Sequence, residues 1–232
     1  LLSIQYILKV KIHREGTNIL VILLLMLAVV NAAAWMFIRP AVIPIVFSSL
    51  SAIIYGLIVN FFRSPRRKFQ GDPTDLVVSS VDGTVVALEE TFEHEYLKRP
   101  MIQLSVFMSI FNVHANWFPV NGRVFKVRHF NGRYMSAYLP KSSIENEHSS
   151  VLIRAEGGQW IVVNQVAGAV ARRIVTYAEH DEECSIEDHM GFIKFGSRVD
   201  IFLPLDSEVL VKIGDKTTGG VTPVARLKKS NK

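Results

Sequence analysis

The chain holds a single cysteine, Cys184, in 232 residues. One thiol excludes an intramolecular disulfide and a cysteine-rich zinc module. Charged residues make up only 20% of the chain against 49% hydrophobic, and the 14 glycines and 9 prolines are an ordinary share, so a disordered or collagen-like chain is excluded. No glycine-rich phosphate loop is present, neither of the P-loop nor of the dinucleotide type. No pair of histidines or cysteines has zinc-ligand spacing, and no metal site is expected. Repeats of fixed period, low-complexity tracts and, after residue 70, strong amphipathic helices are also missing. The length allows one or two domains with a packed core.

What charge there is lies unevenly. A net charge of +5 and a pI near 9.4 raise the question of nucleic acid. Residues 1–70, however, carry eight basic residues and one acid, a net of +7. Residues 71–232 carry 18 basic and 20 acidic residues, a net of −2. Without the basic tail of Arg226, Lys228, Lys229 and Lys232, residues 71–225 reach −6. All the excess positive charge therefore brackets two apolar runs, and no nucleic-acid partner is expected.

The first run, Ile19–Ile38, has 20 residues, no charge and one polar member, Asn31; the second, Pro40–Phe62, has 23 uncharged residues. Each has the length of a helix that crosses a hydrocarbon core of about 30 Å. A signal peptide fits poorly, because its apolar region is shorter and ends in a small-residue cleavage site. The Arg39-Pro40 link predicts a helical membrane hairpin, either spanning or inserted from one face. Seven basic residues outside the hairpin and one at its tip place both ends in the cytoplasm. The cluster Arg63-Ser64-Pro65-Arg66-Arg67-Lys68 is expected against anionic headgroups. Residues 1–70 thus read as an anchor in the cell membrane, either a plain one or one that brings the chain to a lipid substrate.

Residues 71–232 read as a mainly β soluble domain, a barrel or a sandwich, on the cytoplasmic face. Stretches rich in β-branched and aromatic residues recur about every ten residues between turn signals. Leu76–Val81 and Thr84–Leu88 flank Asp82-Gly83. Arg123–Phe130 follows Asn121-Gly122, and Arg133–Leu139 follows Asn131-Gly132. Val151–Ala155 and Trp160–Val166 flank Gly157-Gly158, and Val199–Leu203 and Glu208–Ile213 flank the Pro204–Asp206 turn. Asx-Gly pairs favour tight hairpins because both central residues take positive φ at low cost.

Three places are candidates for chemistry, and each has a plain structural reading. Val81-Asp82-Gly83-Thr84 is a hairpin turn or holds a catalytic Asp. The segment from Phe111 through His114 to Gly122 holds a hydrogen-bonded core histidine or a catalytic one. Lys194-Phe195-Gly196-Ser197-Arg198-Val199-Asp200 is a turn or bulge, or a reactive Gly-Ser step. The acidic stretch from Glu179 to His189 reads as a solvated loop. Its neighbours should raise the pKa of Cys184 and blunt its nucleophilicity.

Together and in this order these segments resemble the phosphatidylserine decarboxylases in their compact bacterial form. The resemblance begins at Ile12-His13-Arg14-Glu15-Gly16. It continues through Asp82-Gly83, His114 with Pro119-Val120-Asn121-Gly122, and Gln165-Val166-Ala167-Gly168-Ala169-Val170-Ala171-Arg172-Arg173-Ile174. It ends at Phe195-Gly196-Ser197-Arg198-Val199-Asp200. It implies a self-processing, pyruvoyl-dependent lyase that turns phosphatidylserine into phosphatidylethanolamine and carbon dioxide. Decarboxylation of an α-amino acid needs an electron sink that ordinary side chains lack, and a carbonyl joined to the substrate amine as a Schiff base provides one. The resemblance implies that this covalent pyruvoyl group is made from Ser197 by cleavage after Gly196. The products are a 1–196 chain and a 197–232 chain that stay associated. It assigns His114 to acid–base work and Asp82 to support of self-cleavage. A homo-oligomer is compatible with it.

The sequence departs from the family pattern at one informative position. Longer members carry two histidines three residues apart before the Pro-x-x-Gly step. His114 falls on the first and Trp117 on the second, the one tied to self-cleavage. His114 is then expected to serve both steps, with His189 or a water as the alternative helper. Ser80 stands where the family often has Pro. Arg172, Arg173 and Arg198 are candidates for the lipid phosphate. Two other functions compete with this reading: decarboxylation of another serine-headed lipid, and a non-catalytic membrane adaptor with a β module. The Gly196–Ser197 bond separates the adaptor from the enzyme, since an adaptor has no reason to break there.

Overall fold

The computed structural model describes residues 11–132, 146–168, 173–194 and 197–228. The chain divides into two compact units, Leu1–Arg66 and Arg67–Lys232.

In the first unit, strand β1 (Lys11–Ile12) precedes helix α1 (Arg14–Phe37), which is followed by helix α2 (Val42–Phe61) and strand β2 (Arg63–Ser64). The helix α1 starts five residues before the apolar run, because His13 caps it: its Nδ1 accepts the Glu15 N–H at 3.3 Å. The two ends of the hairpin meet through β1 and β2, which pair antiparallel. Gly16 is required there, since a Cβ would lie 2.4 Å from Cγ of Phe62. Midway, the polar residues of the apolar runs satisfy one another. Asn31 donates to Ser51 Oγ (3.1 Å) and accepts from Ser48 Oγ (2.7 Å), and Trp35 Nε1 donates to Ser48 (3.1 Å). Large apolar side chains such as Leu25, Val29, Met36 and Phe37 point outward. Mean hydropathies of 2.6 and 2.3 make both helices long and apolar enough to cross a membrane.

Among the described residues no helix follows Phe61, and the second unit is built of strands. They are β3 (Leu76–Val78), β4 (Gly83–Glu93), β5 (Arg99–Met108), β6 (Ala115–Trp117), β7 (Gly122–Phe130), β8 (His148–Ala155) and β9 (Trp160–Ala167). There follow β10 (Ile174–Thr176), β11 (Glu183–Cys184), β12 (His189–Ile193), β13 (Ser197–Leu203), β14 (Glu208–Val209), β15 (Lys216–Thr217) and β16 (Pro223–Arg226). An antiparallel sheet curls through eight of them in the order β11-β7-β8-β9-β13-β5-β4-β15. Two three-stranded sheets, β10-β12-β6 and β14-β16-β3, complete the unit. One apolar core joins all three sheets, drawing Val106, Val124, Val163, Val199 and Ile201 from the large one, Met190 and Ile193 from β12, and Val224 from β16. Strand alternation separates Ile201 on the core face from Phe202, which packs with Met101, Leu152 and Val162 on the other. The mainly β class expected from the sequence is therefore found, with the apolar helical pair before it.

Local turn chemistry identified strands better than it identified their partners. The Gly157-Gly158 hairpin forms as expected, with Gly158 at φ +89° between the paired strands β8 and β9. Asp82-Gly83 does not form a hairpin: β3 pairs with β16, and β4 with β5 and β15. Gly83 is needed for close approach, because a Cβ would lie 2.2 Å from the Phe107 carbonyl. Gly122 likewise opens β7 with the Arg154 carbonyl where its Cβ would be. The segment after Pro204–Asp206 is strand only over Glu208–Val209, and it pairs with β16 rather than β13. Arg133–Leu139 lies outside the described residues.

Candidate active site

Ser197 is the first residue of β13 and is fully buried. Its register partners are Met108 on β5 and Ala167 on β9. Its hydroxyl donates to Met108 Sδ at 3.2 Å, a weak acceptor in a dry setting. Gly196 lies outside the described residues. The row continues beyond β5. Thr84 pairs with Phe107 and Thr217 with Gly83, so Gly83 stands level with Met108. Ser197, Met108, Gly83 and Thr217 thus cross β13, β5, β4 and β15 in one line, and two strand spacings of about 4.8 Å separate Ser197 from Gly83.

His114 enters from the segment between β5 and β6 and is completely buried. Its Nδ1 lies 3.0 Å from the Asn112 carbonyl. A carbonyl can only accept, so the proton of the neutral ring sits on Nδ1 and Nε2 carries the lone pair. The histidine backbone is fixed in turn by a chain of buried amides. Asn116 Nδ2 donates to the His114 carbonyl (3.2 Å), Gln165 Nε2 donates to Asn116 Oδ1 (2.6 Å), and Thr176 Oγ1 donates to Gln165 Oε1 (2.8 Å). Gln165 stands on the same face of β9 as Ala167, the partner of Ser197. Gly191 admits this chain, since a Cβ there would lie 2.4 Å from Gln165 Nε2. Asn116 and Gln165 sit inside the motifs carrying the family resemblance, but their residue types alone gave no sign of this coupling.

The carboxylate of Asp82 receives both terminal nitrogens of Arg67, with NH2 to Oδ2 at 2.8 Å, and the N–H of Gly219 at 2.9 Å. Arg67 was expected at the headgroups; it is instead largely buried in the β unit, with its guanidinium 4.4 Å from the Trp117 ring centroid. His189 pairs with Trp117 across β12 and β6 and meets its ring edge-on at 4.9 Å.

Of the phosphate candidates, Arg198 projects from the face of β13 opposite Ser197 and pairs with Asp200 at 2.9 Å, both buried. Alternation along the strand removes it from the Ser197 side. Arg173 is exposed, and Arg172 lies outside the described residues. Cys184 is buried in β11 with its pKa pushed up to about 12, first by burial and then by Glu182 and Asp188. Among the described residues no three His, Cys, Asp or Glu side chains gather as metal ligands.

Residues 54–225 match the family model described as phosphatidylserine decarboxylase. A phosphatidylserine decarboxylase proenzyme of Parabacteroides distasonis is 51% identical over 94% of this chain and 100% of its own length. That of Bacteroides thetaiotaomicron is 52% identical over 95% of this chain and 96% of its own. That of Cytophaga hutchinsonii is 37% identical over 92% and 97%. The matches define an enzyme of the decarboxylase class. The chain belongs to the phosphatidylserine decarboxylase family.

Proposed function

We propose that the chain is a membrane-held phosphatidylserine decarboxylase that makes its carbonyl cofactor from Ser197 and yields phosphatidylethanolamine and carbon dioxide. The observation that carries the reading is a fully buried serine, directly after a glycine in sequence, at the start of a central strand.

In maturation, Ser197 Oγ attacks the Gly196 carbonyl carbon and gives its proton to a base. The amide C–N bond breaks as the ester forms. Loss of the Ser197 α-proton then expels Gly196 as a carboxylate, breaking the Cβ–Oγ bond. The dehydroalanine at 197 takes up water and releases ammonia, leaving a pyruvoyl group. Gly196 suits the attack because it has no Cβ to crowd it. His114, with its lone pair on Nε2, is the base we assign to this step.

The surroundings of Ser197 fit such a group: Met108 and Ala167 flank it, both are fully buried, and the serine hydroxyl rests on a thioether. When present, the group supplies the electron sink that Cα requires as carbon dioxide leaves. His114 holds or positions the proton that Cα then takes up. The 1–196 and 197–232 products stay together because β13 pairs with β5 and β9, β15 with β4, and β16 with β3. We assign residues 1–70 to the membrane anchor, except that Arg67 belongs to the catalytic unit, which 71–232 otherwise form on the cytoplasmic face. The apolar helices and the basic flanks support this placement.

Intact-mass analysis of the purified chain tests the reading. Two fragments are expected, the smaller blocked at its N-terminus by pyruvoyl, and Ser197→Ala should remain one inactive chain. An uncleaved parent with a free serine, or cleavage persisting in Ser197→Ala, refutes it.

A further inference from the structure

The mechanism above leaves Arg67 without a task. Yet it is largely buried, and it closes a ring of contacts with Asp82 and Gly219. Arg67 grips the Asp82 carboxylate with both terminal nitrogens, and its NH1 also donates to the Gly219 carbonyl at 2.7 Å. Asp82 Oδ1 accepts the Gly219 N–H. The peptide groups on both sides of Gly219 are therefore held by two residues from the other side of the cleavage point. Gly219 also packs onto Trp117 and Val81, where a Cβ would lie 2.8 Å from Cε3 of the indole and 2.9 Å from the valine Cα. Trp117 is the floor of the arrangement: a flat ring under a guanidinium, a pairing for which arginine is well suited.

We propose that Arg67 is a positioning residue. With Asp82, and seated on Trp117, it clamps the 197–232 segment to the rest of the chain, and Asp82 serves maturation through this clamp rather than by orienting a histidine. The row through Ser197 gives the clamp its leverage. Its outer strands, β13 and β15, belong to the C-terminal segment, and its inner strands, β5 and β4, to the remainder. Asp82 adjoins the first residue of β4, and Gly219 lies two residues beyond Thr217. Locking them fixes the far edge of the row that holds Ser197 against Met108. It also accounts for Trp117: with Arg67 as the partner of Asp82, that position needs a stacking surface and not a base.

The proposal rests on the self-cleavage reading, and its test keeps the two apart. In the full chain in detergent, Arg67→Gln, Asp82→Asn and the double variant are compared with the parent by intact mass over time. Retention of the 197–232 fragment is followed by gel filtration at high salt. Both single variants are expected to slow cleavage by the same factor, on the order of tenfold, and to release a larger share of the fragment than the parent does. The double variant should be no slower than either single one. The slowing should be equal at every pH, and Arg67→Lys should recover part of the retention. In the uncleavable Ser197→Ala chain, hydrogen exchange at the Gly219 amide should rise in both single variants, a readout independent of cleavage. Unchanged exchange there overturns the clamp even if the parent never cleaves, an outcome that would refute self-cleavage by itself. A chain with Arg67→Gln that cleaves and holds its fragment like the parent, while Asp82→Asn does not cleave, overturns the clamp and returns Asp82 to an independent role.

Discussion

With its Nδ1 proton committed to the Asn112 carbonyl, His114 can offer only Nε2 to a reacting atom. His114→Ala should therefore lose lipid turnover by at least about 100-fold, the usual worth of a placed acid or base. Turnover of phosphatidylserine in mixed micelles measures it, and near-parental activity would remove His114 from the reaction. Ser197, His114 and Asp82 were proposed from the order in which their motifs resemble the family's, because each stretch by itself also reads as a turn or a core residue. Arg67 was not. It stands in a run of four basic residues within six beside an apolar segment, and such a run reads as a headgroup collar. Its partners Asp82 and Gly219 lie 15 and 152 residues away, and nothing local marks them.

At the level of elements, the face of the large sheet away from the core is unexpectedly polar. After β4 the chain turns back over Glu93, whose carboxylate accepts the N–H groups of Glu95, Tyr96 and Leu97. This turn brings Glu95 to His148 on β8, Oε1 to Nε2 at 2.7 Å. Burial works against charge on His148. The hydrogen bonds that His148 donates to Glu95 and to the Asn146 carbonyl, with the charges of Glu95 and Asp200, outweigh burial and raise the pKa above its usual 6.5. A raised folded pKa means that the protonated histidine stabilises the fold. That contribution is complete below 6.5 and is lost as pH rises through the folded value. The melting temperature of the full chain in detergent should accordingly fall as pH rises above 6.5, and Glu95→Gln should flatten that fall. An unchanged slope in the variant would show that another group carries it. None of this could be read from alternation, which marks a strand and its faces but not what folds back over them. The same limit explains the Gly-turn expectations: Gly158 answers to its own φ, whereas Gly83 answers to a strand 24 residues away.

For the molecule as a whole, the division of charge organises the reading: +7 around the apolar helices and −2 over the strands. If both ends of the hairpin lie on the cytoplasmic side, single cysteines placed at positions 14 and 66 in a Cys184→Ser chain should react with an impermeant maleimide only from that side. Labelling from outside would reverse the orientation. The class of the fold and the helical pair were legible because hydropathy and turn residues are local. The place of β13 was not, because its neighbours β5 and β9 start nearly 100 and nearly 40 residues earlier. That place has a consequence in time. A chain cut at 196 before folding would have to recruit its central strand from another molecule, so the proposed cut must follow folding. If the chain is cut there as proposed, it has no intramolecular route back: unfolding becomes a one-way loss, and its working life is set by a rate rather than by an equilibrium. Mature protein taken through a melt should thus fail to recover, whereas uncleaved Ser197→Ala recovers, as circular dichroism on cooling would record.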